Sequence, residues 1–162
     1  MKNFLIVVDM QNDFVDGSLG TKEALDIVDN VVNKINNFDG EIIATYDTHF
    51  ENYLNTLEGK NLPVKHCIKG TDGWQINHKV ASALNKKSFT ALEKFTFGSK
   101  ELPQLLIDKA KNEDFTIELI GLCTDICVVS NALLLKANFP EKQITVDTSC
   151  CAGVTVQTHD SA

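Results

Sequence analysis

The chain has 162 residues, a net charge of −7 and 23% charged side chains, a composition typical of one globular domain. This acidic balance argues against nucleic acid or an anionic membrane surface as a partner. All fifteen basic residues are lysine, which excludes a site built on bidentate guanidinium recognition of carboxylate or phosphate.

The five cysteines favour a reduced, cytoplasmic setting. Their number is odd, two are adjacent, and the N-terminus runs into a strand-like segment rather than a signal peptide. Their spacing offers neither a C-x-x-C redox pair nor a zinc ribbon. The cysteines are Cys67, Cys123, Cys127, Cys150 and Cys151.

The first element is an uninterrupted apolar run over residues 4–8, which predicts a buried parallel strand. Asp9 follows at the edge where open α/β sheets bind ligands, although a turn or capping role would also explain it. Phe14 and Leu19 lie in the polar loop that comes next. Their side chains would either line a pocket or cover the core.

The remaining elements follow from hydrophobic periodicity and from helix-start and turn residues. They are helices over 22–38, 74–84 and 100–112, a helix after Thr124, and strands over 41–46, 89–92, 115–120 and 143–147. Strands and helices alternate along the chain. We therefore predict an α/β fold, a three-layer doubly wound and mainly parallel sheet with helices on both faces.

Polar residues after the second strand form a candidate metal site. Asp47 and His49 would point the same way in an extended segment, and the long polar stretch 50–73 contains Glu58 and His66. Oxygen and nitrogen ligands of this kind suit zinc, manganese or iron. By spacing alone, a structural role is an equal alternative for His66 and the favoured interpretation of Glu58.

A candidate nucleophile follows the 115–120 strand. Gly121 breaks the strand, and Thr124 and Asp125 are good residues to open a helix, so Cys127 falls in the first helical turn. The unpaired N–H groups of that turn favour a thiolate and can hold an oxyanion. The alternative is a small buried cysteine that only packs.

Lys94 follows the short strand over 89–92, beside aromatic residues. A surface lysine is the simpler interpretation of Lys94 alone. However, Asp9, Lys94 and Cys127 each follow a different strand at its C-terminal end. Because these ends meet at one edge of a parallel sheet, we expect the three side chains to share a site.

These motifs resemble those of the isochorismatase-like cysteine hydrolases, and within them the nicotinamidase branch. Residues 7–14 are similar to the family's opening strand and aspartate, residues 89–94 to the strand that delivers its lysine, and residues 121–128 to its nucleophile turn. The resemblance implies a cis peptide before Cys123. It also implies a catalytic triad of Cys127, Asp9 and Lys94. The expected oxyanion hole consists of the backbone N–H groups of Cys123 and Cys127.

The nicotinamidase metal site has counterparts as well. Residues 47–49 are similar to the family's Asp-x-His pair, residues 66–71 to its His-Cys-Val-x-Gly-Thr stretch, and Glu58 to a glutamate that some members use. The resemblance therefore implies one divalent metal ion, zinc before manganese or iron. Its expected ligands are Asp47, His49, Glu58 and His66.

The sequence differs from the family motifs in a segment expected to line the substrate pocket, where Leu62-Pro63 stands in place of the Trp-Pro of many nicotinamidases. We therefore expect the ring-binding wall to come from elsewhere, with Phe14, Leu19 and Phe97 as candidates. We expect a single domain over residues 1–162. Compared with the family pattern, its last helix would be incomplete.

The implied activity is metal-assisted hydrolysis of nicotinamide to nicotinic acid and ammonia through a thioester. Hydrolysis of another small amide, an N-carbamoyl compound or a ureide is the alternative. Isochorismatase chemistry, which does not need the cysteine, and a non-catalytic binding module on the same fold are more remote. The expected partners are a small-molecule amide and further copies of the chain in a homo-oligomer.

Overall fold

The computed structural model describes residues 1–162 and contains one sheet of five strands, all parallel, in the order β3-β2-β1-β4-β5. The strands are β1 Lys2–Val8, β2 Glu41–Asp47, β3 Thr90–Lys94, β4 Phe115–Leu122 and β5 Ile144–Ala152. The central strand β1 is buried on both faces, which explains its continuous apolar sequence. The predicted fold class is confirmed.

Eight α-helices and three helical turns of other types lie between the strands or after the last one. The helices are α1 Asn12–Val15, α2 Lys22–Asp26, α3 Val28–Asn37, α4 Leu57–Asn61, α5 His78–Lys87, α6 Leu102–Ala110, α7 Val129–Asn138 and α8 Val156–Ser161. The turns are 3-10 turns at Tyr53–Asn55 and Asp72–Trp74 and a π-helical turn at Thr124–Val128. No helix combines the length and the apolar character needed to cross a bilayer.

Two apolar layers sandwich the sheet. Side chains of α1, α2, α3 and α5 pack on the β1 face that carries Leu5 and Val7. Side chains of α6 and α7 pack on the opposite face, with Phe4, Ile6 and Val8. Successive strand residues point to opposite faces, so the alternation within one strand builds both cores.

The predicted helix over 22–38 is two helices. The chain breaks at Ile27, and α3 then buries Val28, Val31 and Ile35, one turn apart along one face. One continuous helix would place Leu25 on the same face as Val28, but Leu25 is 51% exposed because the break changes the helical phase.

Other boundaries also differ from the sequence prediction. The helix expected from residue 74 begins at His78, because the Asn77 side chain accepts hydrogen bonds from the N–H groups of Lys79 and Val80. The third strand continues to Lys94, and β5 continues past Asp147 to Ala152 with a register shift against β4. The polar stretch 50–73 contains one short helix and two 3-10 turns, the second ending at Trp74.

Gly121 allows β4 to lie close against β1 at the end that carries the site. Its φ is +117°, and a Cβ there would stand 2.2 Å from the Val8 carbonyl oxygen. Only glycine accommodates both conditions. The close approach brings Asp9, the residue after β1, next to the turn that follows β4.

Candidate active site

The structure brings Asp9, Lys94 and Cys127 together at the carboxyl end of the sheet. Lys94 Nζ lies 2.7 Å from Asp9 Oδ2 and 3.3 Å from Cys127 Sγ. Asp9 and Lys94 are fully buried, and Cys127 is 4% exposed. The three groups come from the ends of β1 and β3 and from the π-helical turn after β4, as the strand-end argument predicted.

Neighbouring groups hold the triad in place. Asp9 Oδ1 accepts a hydrogen bond from Thr45 Oγ1 at 2.7 Å, and Lys94 Nζ also donates to the Thr96 carbonyl at 3.1 Å. The Lys94–Asp9 contact is a close ion pair that lacks the alignment of a hydrogen bond. Asp9 Oδ2 therefore keeps a lone pair with which it can accept the proton of the Cys127 thiol.

Burial dominates the electrostatics of the triad. It raises the pKa of the Cys127 thiol well above its usual range, and the negative charge of Asp9 raises that pKa further while Lys94 opposes the shift. Burial likewise raises the pKa of Asp9 against the lowering by Lys94. For Lys94, burial lowers the pKa, but the charges of Asp9 and Asp47 and the hydrogen bond to Asp9 outweigh burial, and the net shift is upward.

The expectation that the helical turn favours a Cys127 thiolate is therefore wrong. The turn is π-helical, and its cysteine side chain is buried beside a carboxylate. The free energy needed to remove a thiolate from water is larger than the stabilisation that the partial positive charge of one helical turn provides. The resting site consequently contains a neutral thiol, and a base is needed to activate it.

Four side chains converge in a second cluster beside the triad. Asp47 Oδ2 lies 3.1 Å from His49 Nε2 and 3.5 Å from His66 Nε2. Glu58 Oε1 lies 3.6 Å from the same atom of His49 and 3.8 Å from that of His66. An ion with bonds of about 2.1 Å in a tetrahedron has ligand atoms about 3.4 Å apart. The donor atoms of Asp47, His49 and His66 lie within 4.8 Å of one another and therefore fit a divalent metal ion, and Glu58 Oε1 lies beside the two imidazoles.

Residues that the sequence analysis missed orient these ligands. His66 Nδ1 is bonded to the Val64 carbonyl at 2.8 Å, which leaves Nε2 facing the cluster. The buried ring of Tyr53 packs edge-on against His49 and His66, with centroids 4.7 and 5.0 Å away, and its hydroxyl donates to the Leu62 carbonyl. An aromatic residue in a polar loop carries no sequence signal for this role.

Gln11 is a second residue that the sequence analysis did not single out. Its buried amide donates from Nε2 to the Asp47 carbonyl and accepts from the Asp47 N–H, both at 2.8 Å. This pair of bonds clamps the main chain of Asp47 at the end of β2. The segment after β1 thereby controls where the Asp47 carboxylate lies.

Asp47 connects the two clusters. Its Oδ2 faces the imidazoles, while its Oδ1 lies 3.5 Å from Lys94 Nζ. Burial opposes ionisation of Asp47, but hydrogen bonds from His49 and His66 and the charge of Lys94 outweigh it and lower its pKa. One ionised carboxylate thus contacts both the triad and the candidate metal site.

A cavity of about 190 Å³ opens onto both clusters. All three predicted wall residues, Phe14, Leu19 and Phe97, line it. The two clusters contribute Cys127, Asp47, Glu58 and His66. The remaining lining residues, which the sequence analysis did not assign to the wall, are Thr21, Ala24, Leu62, Cys123, Ile126 and Val154. Leu62 stands on the wall where the resemblance leads one to expect an aromatic ring.

The proposed oxyanion donors flank this cavity. The peptide bond between Leu122 and Cys123 is cis, as the resemblance implies. The Cys123 N–H makes no hydrogen bond to another protein group, whereas the Cys123 carbonyl accepts from Ile126 and Val128. The turn is therefore closed around Cys127 and still offers a free donor.

The sequence profile described as the Isochorismatase domain matches residues 3–162. The chain belongs to this family. An isochorismatase family protein of Bacillus subtilis (strain 168), PncA, is 29% identical in an alignment of 143 positions that covers 82% of this chain and 78% of the relative. The resemblance inferred from the motifs is thus confirmed at the level of the family.

Two solved structures have the same fold as this chain. The pyrazinamidase/nicotinamidase of Streptococcus mutans UA159 is 26% identical with a TM-score of 0.83, covering 99% of this chain and 92% of that one. The pyrazinamidase of Pyrococcus horikoshii in complex with zinc is 22% identical with a TM-score of 0.80 at the same coverages.

Proposed function

We propose that the protein is a metal-assisted cysteine amidohydrolase that converts nicotinamide and water to nicotinic acid and ammonia. One observation carries the proposal: a single small cavity is lined by a buried cysteine and by a metal-type cluster, with a buried lysine–aspartate pair behind the cysteine. The names of the Streptococcus mutans and Pyrococcus horikoshii proteins support the same class of substrate.

In the first half-reaction Asp9 takes the proton of the Cys127 thiol, and the sulfur attacks the carboxamide carbon. Lys94 remains charged and stabilises the ionised groups on either side of it. The backbone N–H groups of Cys123 and Cys127 hold the oxyanion of the tetrahedral intermediate. Asp9 then gives the proton to the amide nitrogen, the C–N bond breaks, ammonia leaves, and a thioester remains on Cys127.

In the second half-reaction water hydrolyses the thioester. Asp9 accepts a proton from the water as its oxygen attacks the carbonyl carbon, and the same two N–H groups hold the new oxyanion. The C–S bond then breaks, Cys127 recovers its proton, and the carboxylic acid leaves.

Asp47, His49, His66 and Glu58 would hold the metal ion. When bound, the ion supplies a Lewis-acid contact for a ring nitrogen and so orients the substrate. The donor set of two imidazoles and the Asp47 carboxylate, with the Glu58 carboxylate beside them, supports zinc, as does the zinc complex of the Pyrococcus horikoshii protein. The same donors suit manganese and iron, so metal analysis of the purified protein decides the identity.

The apolar wall of the cavity favours a flat, neutral ring over a charged or extended substrate. Leu62 on this wall is smaller than an aromatic ring and is 39% exposed. This observation favours, as a second candidate, a related small amide, N-carbamoyl compound or ureide at the same triad. Ammonia release from a panel of these compounds separates the two candidates.

We further propose that the protein forms a homo-oligomer in a cytoplasmic setting. Phe50 and Phe95 stack on each other while each remains more than half exposed, an apolar surface suited to a subunit contact. All five cysteines are free thiols, which supports a reducing compartment. Sedimentation velocity measures the oligomeric state.

The test of the proposed activity is ammonia release from nicotinamide by the wild-type protein and by Cys127→Ala. We expect turnover in the wild type and none in the variant. Cys151→Ala is the matched control, because Cys151 is equally buried but lies on β5 outside the cavity. Turnover by Cys127→Ala equal to that of Cys151→Ala would rule out the proposal.

A further inference from the structure

A buried asparagine on α7 joins the nucleophile turn to the loop that carries one wall of the cavity. Asn131 Nδ2 donates to the Cys127 carbonyl at 2.8 Å and to the Phe97 carbonyl at 3.2 Å. Its Oδ1 accepts from the Ser99 N–H at 2.9 Å. The side chain is fully buried and every polar atom of its amide is used, so it is held in one orientation.

The loop that Asn131 holds touches the site twice. Phe97 lines the cavity although its side chain is 47% exposed, and the Thr96 carbonyl accepts from Lys94 Nζ. Residues 95–99 lie between β3 and α6 and contain no helix or strand of their own. Their placement relative to Cys127 therefore depends on contacts with other elements, and the Asn131 amide supplies their hydrogen bonds to α7.

We propose that Asn131 is a positioning residue, which sets the distance between the Phe97 wall and the Cys127 nucleophile. A flat carboxamide held against Phe97 must present its carbonyl carbon to Sγ within van der Waals reach. A displacement of either side by about 1 Å costs about 100-fold in rate. This inference rests on the proposed amidohydrolase function and adds a residue to it.

The same helix provides a matched control. Asn138 Nδ2 donates to the Leu134 carbonyl at 2.9 Å, a bond that spans four residues just as the Asn131–Cys127 bond does. Asn138 is exposed and touches neither the cavity nor the 95–99 loop. A comparison of the two asparagines therefore separates the local helix bond from the contacts with the loop.

The experiment compares Asn131→Asp with Asn138→Asp. Aspartate keeps the shape and the acceptor for the Ser99 N–H but has no N–H groups for the two carbonyls. We expect kcat/KM for nicotinamide to fall about 10- to 100-fold in Asn131→Asp and to stay within about twofold in Asn138→Asp. Asn131→Ser serves as a second variant if urea unfolding shows that Asn131→Asp is not folded.

A Phe97→Ala background distinguishes positioning from a general structural role. If Asn131 acts through the wall, its substitution changes KM by less than about twofold once the Phe97 ring is absent. Additive effects of the two substitutions on KM, or equal kinetics for the Asn131 and Asn138 variants, would overturn the proposal.

Alkylation keeps this inference separate from the proposed activity. Iodoacetamide is a small carboxamide, and peptide mapping reports its rate constant at Cys127 in a protein that turns over no substrate. We expect the alkylation rate constant of Cys127 to change by about fivefold or more in Asn131→Asp and to stay the same in Asn138→Asp. If the wild type turns over no nicotinamide but the Cys127 alkylation rate still differs in Asn131→Asp, the proposed activity is rejected and the role of Asn131 stands. Equal alkylation rates in the two variants reject the role of Asn131.

Discussion

Replacing the buried lysine tests how the triad is held together. Lys94 Nζ lies 2.7 Å from Asp9 and 3.5 Å from Asp47, and its side chain is inaccessible to solvent. Lys94→Met keeps most of the side-chain volume but leaves two buried carboxylates without their cation. Breaking a buried pair in this way costs about 3–5 kcal/mol. For a domain of this size, that loss lowers Tm by about 6–20 °C.

The pH dependence of this loss follows from Asp9. Burial raises its pKa, and Lys94 is the main group that lowers it, so the pKa rises further in Lys94→Met. A carboxyl whose folded pKa lies above the unfolded value stabilises the fold while protonated, and this contribution is lost as pH rises through the folded pKa. The wild-type lysine, with a raised pKa, stays charged throughout the neutral range. We therefore expect a larger deficit at about pH 8 than at about pH 5.

The assay is urea unfolding of chelator-treated protein at both pH values. Lys22→Met is the matched control, since Lys22 also pairs with an aspartate, Asp26 at 3.0 Å, but on the surface of α2. We expect no measurable change in the free energy of unfolding for Lys22→Met. A Lys94→Met deficit equal to that of the control, or one that grows toward acid pH, would refute this account of the triad.

Three further predictions follow from the site and its support. Burial raises the pKa of Cys127, so its alkylation rate at neutral pH should be lower than that of a free cysteine. The rate should still be rising above about pH 8.5, and a plateau near neutrality would contradict the neutral resting thiol. His66→Ala should weaken zinc binding, measured by competition with a chromogenic chelator, by more than Glu58→Gln does, because Glu58 is less buried and lies farther from the other donors. Gly121→Ala should destabilise the protein by more than about 2 kcal/mol in urea unfolding, since its Cβ would lie 2.2 Å from the Val8 carbonyl; a smaller change would mean that β1 and β4 can separate without cost.

Much of the site was predictable from the sequence because it lies where strands end. Asp9, Asp47 and Lys94 each close or follow a run of apolar residues, and parallel strands bring such positions to one edge. Spacing left structural roles open for His66 and Glu58, and the family motifs favoured them as ligands together with His49. The structure places Asp47 Oδ2 and Glu58 Oε1 between 3.1 and 3.8 Å from the Nε2 atoms of the two histidines.

The supporting residues were not predictable in the same way. Gln11 contacts Asp47 across 36 residues, and Asn131 contacts Phe97 across 34. Tyr53 meets His66 through ring packing that depends on the course of the 50–61 segment. A buried amide or phenol that satisfies distant backbone groups has no periodicity and no spacing rule, so the partners become known only with the fold.

Sequence alone determined the five strands and their alternation with helical segments, the edge of the sheet that carries the chemistry, and the residue types gathered there. The tertiary structure decided the break at Ile27, the placement of Leu62 on the cavity wall and the protonation state of Cys127. The physical reason is that periodicity is a local property of the chain. Burial, and with it the cost of ionising a thiol, depends on every element packed around the site.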